Sequence, residues 1–351
     1  QLDVTGTLTN AGTITGGTAT LGFGGAAANT GTITGGAGLV TFTGAVTDTG
    51  GTITAGTGGL SFLDTYDGSG GSVGALEGNA TGGIAFQGAA AMGTFTSNGG
   101  TVTFSGTATP QTFNPNAQTF GPIVLSKGAQ AQIVQLSGNL TISDANLTVT
   151  TGTLDLNSFT LDVNDTTGSA GDVSVAAAGG LDCSTAGSAV NLQGDWSVNA
   201  AGVFTAGTST VTLDGSAAGQ NVTAGGTDAS HAFSVITDSN SFGAVSFTDN
   251  IAATTINVNG IGGAATFSGT VTAATIAVNN TGGNVTFSDA VTAGTVTLTN
   301  AGTTPNNVIA FQGNTSVTTG LSAANNGFAV SFTGASNDVA GSTTFLNDGG
   351  I

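Results

Sequence analysis

Acids are the only ionisable side chains that this sequence holds in quantity. Eighteen Asp and one Glu, Glu77, stand against one Lys, Lys127, one His, His231, and no Arg, for a formal net charge of −18 over 351 residues. The chemistry such a set would support is limited. Paired carboxylates flanking a sugar linkage hydrolyse it, and Asp64 with Asp67, or Asp155 with Asp162, have spacings that would bring two acids together on neighbouring strands or coils. A lyase would need a base as well. His231 lies in Asp228-Ala229-Ser230-His231-Ala232-Phe233 without a second His, a Cys or a convincing carboxylate partner in sequence, and is expected at a surface or corner.

Hard oxygen ligands suit calcium. Asp144, Asn146, Asp162, Asn164 and Asp165 are the densest such group, so Asp144, Asp162 and Asp165 are the candidate metal carboxylates, although the Gly-Gly-x-Gly-x-Asp nonapeptide of calcium-binding rolls is absent. Lys127 and Glu77, each the sole residue of its type, are with some Asn or Asp candidates for an intramolecular isopeptide crosslink. The Thr-Ile-Thr phrases would suit an ice-binding face, and Asn139, Asn146, Asn221 and Asn284 stand in glycosylation sequons. Against these stand simpler readings: Asp remains solvated at corners, and Thr is a good outward-facing strand residue. No residue is assigned a catalytic role, and no resident cofactor is required.

The elements that carry these side chains are repeats. Val245-Ser246-Phe247, Ala265-Thr266-Phe267, Val285-Thr286-Phe287, Ile309-Ala310-Phe311 and Val330-Ser331-Phe332 form one phrase written five times, with the Phe residues spaced by 20, 20, 24 and 21. Apolar, small polar and aromatic residues alternate within each phrase, the period of a half-buried strand, and the long period marks a stacked repeat. At the other end, Thr13-Ile14-Thr15, Thr32-Ile33-Thr34 and Thr52-Ile53-Thr54 recur at 19 and 20, and Phe23, Phe42, Phe62 and Phe86 follow at 19, 20 and 24. The 24-residue step closes on Ile-Ala-Phe-Gln-Gly both times, as if the two ends were copies of one block.

The middle differs in texture. Leu140-Thr141-Ile142, Leu147-Thr148-Val149, Leu154-Asp155-Leu156 and Leu161-Asp162-Val163 step by sevens, three of which make one coil. Their β-branched, Asn and Gly content favours strands with corners over a helical heptad. A longer repeat is superimposed: Thr101-Val102-Thr103-Phe104-Ser105-Gly106 followed by Gln111 matches Thr210-Val211-Thr212-Leu213-Asp214-Gly215 followed by Gln220, at an offset of 109.

The predicted fold is therefore all-β, a parallel β-helix or β-solenoid of about 20 residues per coil, with no helix. Residues 1–106, 107–240 and 241–351 read as successive stretches of one continuous solenoid, a single elongated rod of roughly 17 turns and about 80 Å at the usual strand spacing. Phe42, Phe62, Phe86, Phe247, Phe267, Phe287, Phe311 and Phe332 are expected to stack as a core column. Gly, Asn and Asp between the triplets supply corners. With one Cys, Cys183, stability must come from stacking rather than disulfides. The near absence of cations excludes nucleic acid and an anionic membrane surface as partners, and no apolar run is long enough to insert in a bilayer.

Phrases such as Gly283–Thr299 and Gly152–Val163 resemble the repeats of large bacterial surface and secreted proteins of the filamentous-haemagglutinin and autotransporter-adhesin kind. The resemblance implies an extracellular or cell-surface, non-enzymatic, rod-like protein. The secretion-domain motif such proteins carry at their mature amino terminus is not found. The start at Gln1 and the end at Ile351 in mid-pattern suggest a processed form or a segment of something longer. The expected role is structural: a rod that associates head to tail with copies of itself, strand edge to strand edge, into a filament or fibre. The alternative is a stalk segment of an adhesin whose contacts with any host or surface glycan lie in other regions. An ice-binding or carbohydrate-active β-helix ranks below both.

Overall fold

A computed structural model describes residues 1–70, 74–280, 282–301 and 307–351. Positions 71–73 and 302–306, which fall within the two 24-residue steps, and position 281 are not described, so the recurrence predicted for those insertions lies partly outside the described residues. Among the described residues there is no helix. The chain is an all-β parallel β-solenoid of about 16 turns and roughly 21 residues per turn, slightly fewer and longer coils than the spacing of the Phe residues predicts.

Two compact units divide it, residues 1–162 with 178–182 and residues 163–177 with 183–351. In the first unit each early coil has three short strands, as in Leu21–Phe23, Ala27–Asn29 and Thr32–Thr34. Each strand pairs in parallel with its counterpart one coil on: Leu21 with Val40, Phe23 with Phe42, Phe42 with Phe62, and Ile33 with Ile53. Alternation sets the faces. The outer residues of the Val40–Phe42 triplet point inward, whereas in Thr32–Thr34 only the central Ile33 does. The seven-residue steps turn out to be three faces of one coil, and all eight of their aliphatic ends, from Leu140 to Val163, are buried to 1% exposure or less.

In the second unit the corner between two faces nearly disappears. Ile251–Val258, Val271–Asn280, Val291–Ala301 and Thr315–Ala323 each run as one strand where the early coils of the first unit have two. The cause is visible in sequence. Val46-Thr47-Asp48 needs a wide corner before Thr52, and its inward Asp48 follows Asn10 and Asn29 in one column. In Val271-Thr272-Ala273 the inward residue is Ala, and Thr275 begins the next face after a single residue.

Aromatic stacking fills the core. Phe23, Phe42, Phe62, Phe86 and Phe104 lie with neighbouring ring centroids 5.0, 5.0, 5.2 and 5.8 Å apart. In the second unit Phe247, Phe267, Phe287, Phe311 and Phe332 stack at 4.1, 4.7, 4.9 and 5.0 Å, with planes within 12° of parallel. The predicted column is thus two stacks, one in each unit, and Phe23 and Phe104 extend the first. One corner is closed by glycine alone: a Cβ on Gly36, Gly56 or Gly82 would strike the carbonyl oxygen of Gly17, Gly36 or Gly56 respectively.

Truncating a ring inside a stack removes contacts on two sides. Phe62→Ala is expected to cost about 3–5 kcal/mol, while Phe242→Ala, at a residue 61% exposed, should stay within about 0.5 kcal/mol. Denaturant unfolding followed by hydrogen exchange of the flanking coils checks the contrast.

Candidate functional site

Three of the four acids proposed for hydrolysis accept hydrogen bonds from neighbouring amides or side chains. Asp64 accepts from the amide of Thr65 at 2.8 Å, and Asp67 accepts from the amide and hydroxyl of Ser69 at 2.9 and 2.7 Å, both pairs being exposed turn contacts. Asp155 accepts from Gln135 Nε2 at 2.8 Å and from the Asn157 amide at 2.9 Å, and Asp162 is half-buried on the strand Thr160–Asn164.

The calcium candidates fare similarly. Asp144 is an exposed corner residue with φ 50°. Asp165 is buried, and its carboxylate is occupied by Thr167 N and Oγ1 at 2.8 Å, Gly168 N at 2.9 Å and Ala170 N at 3.1 Å. Burial alone would push this carboxyl up, but those donors outweigh it and hold it below the usual range. Among the described residues no three His, Cys, Asp or Glu side chains converge as a metal site.

Lys127 and Glu77 are not brought together. Glu77 sits on the strand Ala75–Glu77 and accepts from Thr54 Oγ1 at 2.9 Å. Lys127 is buried just after the strand Ile123–Ser126, and its Nζ donates to Gln111 Oε1 at 2.7 Å and to the Ser105 carbonyl at 3.0 Å. Burial pushes its pKa down. The sole cation therefore serves a glutamine.

His231 departs from expectation as well. It is buried rather than at the surface, with Nδ1 2.7 Å from Asp228 Oδ1 and Nε2 3.4 Å from the Asn199 carbonyl. That His231 contact, with help from the Ser230 amide, holds the Asp228 carboxyl below its usual range. The partner is three residues upstream, a spacing that the sequence displayed. Both ring nitrogens are engaged, and the pair fastens a turn.

The Thr ranks are in register, Thr13 with Thr32 and Thr52, and Thr15 with Thr34 and Thr54, but they give way at Ala75 and Glu77 before resuming at Thr94 and Thr96. In the second unit Thr255, Thr275 and Thr295 align beside Asn257, Ala277 and Thr297. Of the sequon residues, Asn139 accepts from Thr160 N, Asn221 donates to Asp195, and Asn284 accepts from Val308 N, each contact reaching an adjoining coil. Cys183 is buried and forms no disulfide.

Two recurring constellations stand out. One is a polar column at a corner: Asn10 Nδ2 donates to Asn29 Oδ1 at 2.8 Å, and Asn29 Nδ2 donates to Asp48 Oδ1 at 2.9 Å. Its signal in the sequence is the 19-residue step between the three positions. The other is a glutamine clamp repeated at the 109-residue offset. Gln111 Nε2 donates to the carbonyls of Phe86 and Gly88 at 3.0 and 2.6 Å, and Gln220 Nε2 to those of Leu192 and Gly194 at 2.9 and 2.7 Å. Each Oε1 is then filled from a later residue, by Lys127 Nζ in the first clamp and by Asn240 Nδ2, at 2.9 Å, in the second. The match between the two glutamines was legible in sequence, but their partners were not.

None of the known families, curated proteins or solved structures compared with the chain matches it. What the geometry supports is the holding of register. Buried amides, carboxylates and the single ammonium join one coil to another, where a neutral or charge-assisted hydrogen bond contributes about 0.5–3 kcal/mol.

Lys127 is also the only residue in the chain at which trypsin cuts. The folded protein should resist trypsin, and the unfolded chain should yield two fragments split after Lys127. Gln111→Ala leaves buried carbonyls and the Lys127 ammonium short of partners, a cost of about 1–3 kcal/mol. Cleavage of the folded Gln111→Ala variant should be correspondingly faster, as read by the rate at which the two fragments accumulate.

Proposed function

We propose that the protein is an extracellular structural β-solenoid whose coils are extended by further parallel coils of identical copies, set head to tail, to form a filament or surface fibre. The observation that carries this reading is register. Val285 stands on Ala265 and under Ile309, and Phe287 stands on Phe267 and under Phe311, with the same faces repeated from coil to coil. A ladder of this kind presents, at any coil edge, the donors, acceptors and apolar ring that a further coil needs. A head-to-tail contact does not close on itself, so it propagates.

The role is mechanical and non-enzymatic. Interior columns of Phe, Asn and Gln fix the stack, and an outer surface of Thr, Ser, Asn and Asp with a charge of −18 keeps copies apart sideways. The register argument applies equally to coils of one longer chain. That is the second reading, a stalk segment of a cell-surface adhesin whose binding region lies elsewhere, and it draws on the likeness of the repeat phrases to those of such proteins.

Negative-stain electron microscopy of the native material, with intact mass on the same sample, separates the readings. Filaments of uniform width built from a subunit of 33.3 kDa are the expected result. A monodisperse, unassembled protein at high concentration overturns the filament reading, and a native mass well above that of the 351-residue chain favours the stalk.

A further inference from the structure

A chain with one Lys and no Arg has few ways to accommodate a carboxylate removed from water. Asp165 is served by four donors, and Asp228 by His231. Two other buried Asp residues, one in each unit, have neither arrangement.

Asp48 is fully buried at the end of the Asn10–Asn29 column. Asn29 Nδ2 donates to its Oδ1, while Oδ2 has no hydrogen-bond partner. The register places Gly68 over Asp48, where a side chain would strike the Tyr66 hydroxyl, and a Cβ on Gly74 would strike the Asp48 carboxyl. The Tyr66 hydroxyl is itself buried without a partner. It lies close enough to Asp48 for each to perturb the other, but outside hydrogen-bond geometry. The other charged group facing this pair is Asp67, which is also an acid.

Asp238 occupies an inward position in an aliphatic column, with Leu213 on one side and Val258 on the other. It is 3% exposed, and its Oδ1 accepts from the Asn240 amide at 3.0 Å. A side chain at Gly260 would crowd both of its oxygens. No titratable group acts on it among the described residues.

We infer that Asp48 and Asp238 are acid-operated locks: each is held in the fold as an uncharged carboxylic acid, so that mild acidification tightens the coils around it and neutral pH loosens them. The lock is a proton gained by one carboxylate oxygen, which removes the need for a cation that the chain does not possess. Burial, the first cause at both sites, raises each carboxyl to about 6, against the lowering effect of Asn29, Gly51 and Tyr66 at Asp48 and of Asn240 at Asp238. Both groups therefore bind a proton more tightly in the folded than in the unfolded chain. Stability rises as pH falls from above 6 towards the ordinary carboxylate range near about 4. The interval from about pH 7 to about pH 5 brackets the change at both locks, and the Asn variants separate it from any other titration.

The test is thermal unfolding of the full chain across that interval, alongside Asp48→Asn, Asp238→Asn and the double variant. The wild-type midpoint should rise by a few degrees on acidification. Each Asn variant should start higher at neutral pH and respond less, and the double variant should be nearly flat. Segmental hydrogen exchange on the wild type, corrected for intrinsic rates, gives a reading that does not depend on any variant folding. Protection over residues 46–54 and 233–240 should increase towards pH 5 more than it does elsewhere. A wild-type midpoint that stays level or falls between about pH 7 and pH 5, or the same protection gain in every coil, overturns the inference.

Discussion

The constraint on which everything else depends is that a parallel strand must find its hydrogen-bond partners on another coil. No two-residue hairpin can satisfy it, because parallel neighbours require a crossover, and here the crossover is the rest of the coil. From coil to coil the strand amides are therefore paired with residues some 20 positions away, as in Thr43 N with the Phe23 carbonyl or Ser288 N with the Phe267 carbonyl. Once one face is in register, the other faces must follow within the limits of their corners. A slip by one residue would turn Phe287 out and Thr286 in.

Stacked rings and polar columns enforce that register in different ways. The Phe stacks reward any coil of matching length with large buried area and offset or parallel ring contact. They tolerate substitution by Leu125 or Val149 where the first unit continues past Phe104. Hydrogen-bonded columns are stricter. Gln111 and Gln220 each reach two carbonyls of an earlier coil and are themselves fixed from a later one, so three levels are pinned by one side chain. That Lys127 fills in one clamp the role that Asn240 fills in the other shows the demand to be for an N–H donor, with charge incidental.

Scarcity of cations shapes the rest. Ion pairing is scarce in a chain with a single Lys, whose ammonium goes to Gln111 and the Ser105 carbonyl, and among the described residues the contact of salt-bridge geometry is that of His231 with Asp228. Polar groups are instead satisfied by backbone amides in tight turns, by amide-to-amide columns, or by protonation. The outer surface, left acidic and rich in Thr and Asn, has the character of a solvated coat over a knitted interior.

The sequence by itself determined the coil, because its information is local and periodic. Alternation within a triplet tells which residues face inward, and a recurring interval near 20 tells that triplets stack, so the parallel solenoid and the membership of Phe42, Phe62 and Phe86, or of Phe247 to Phe332, in stacks were legible from residue types alone. Tertiary structure decided where the polar side chains went. His231 lies buried against Asp228, Lys127 meets Gln111 across 16 positions rather than Glu77, and Asp48 and Asp238 stand inside columns of neutral residues. These contacts depend on which face and level a residue occupies, and corner lengths set that. A corner of three residues follows Asp48 and one of a single residue follows Ala273, and one opens beside a polar column while the other continues a strand. The physical reason is that inward or outward is fixed by the nearest neighbours in sequence, whereas a partner is fixed by the summed length of a whole coil.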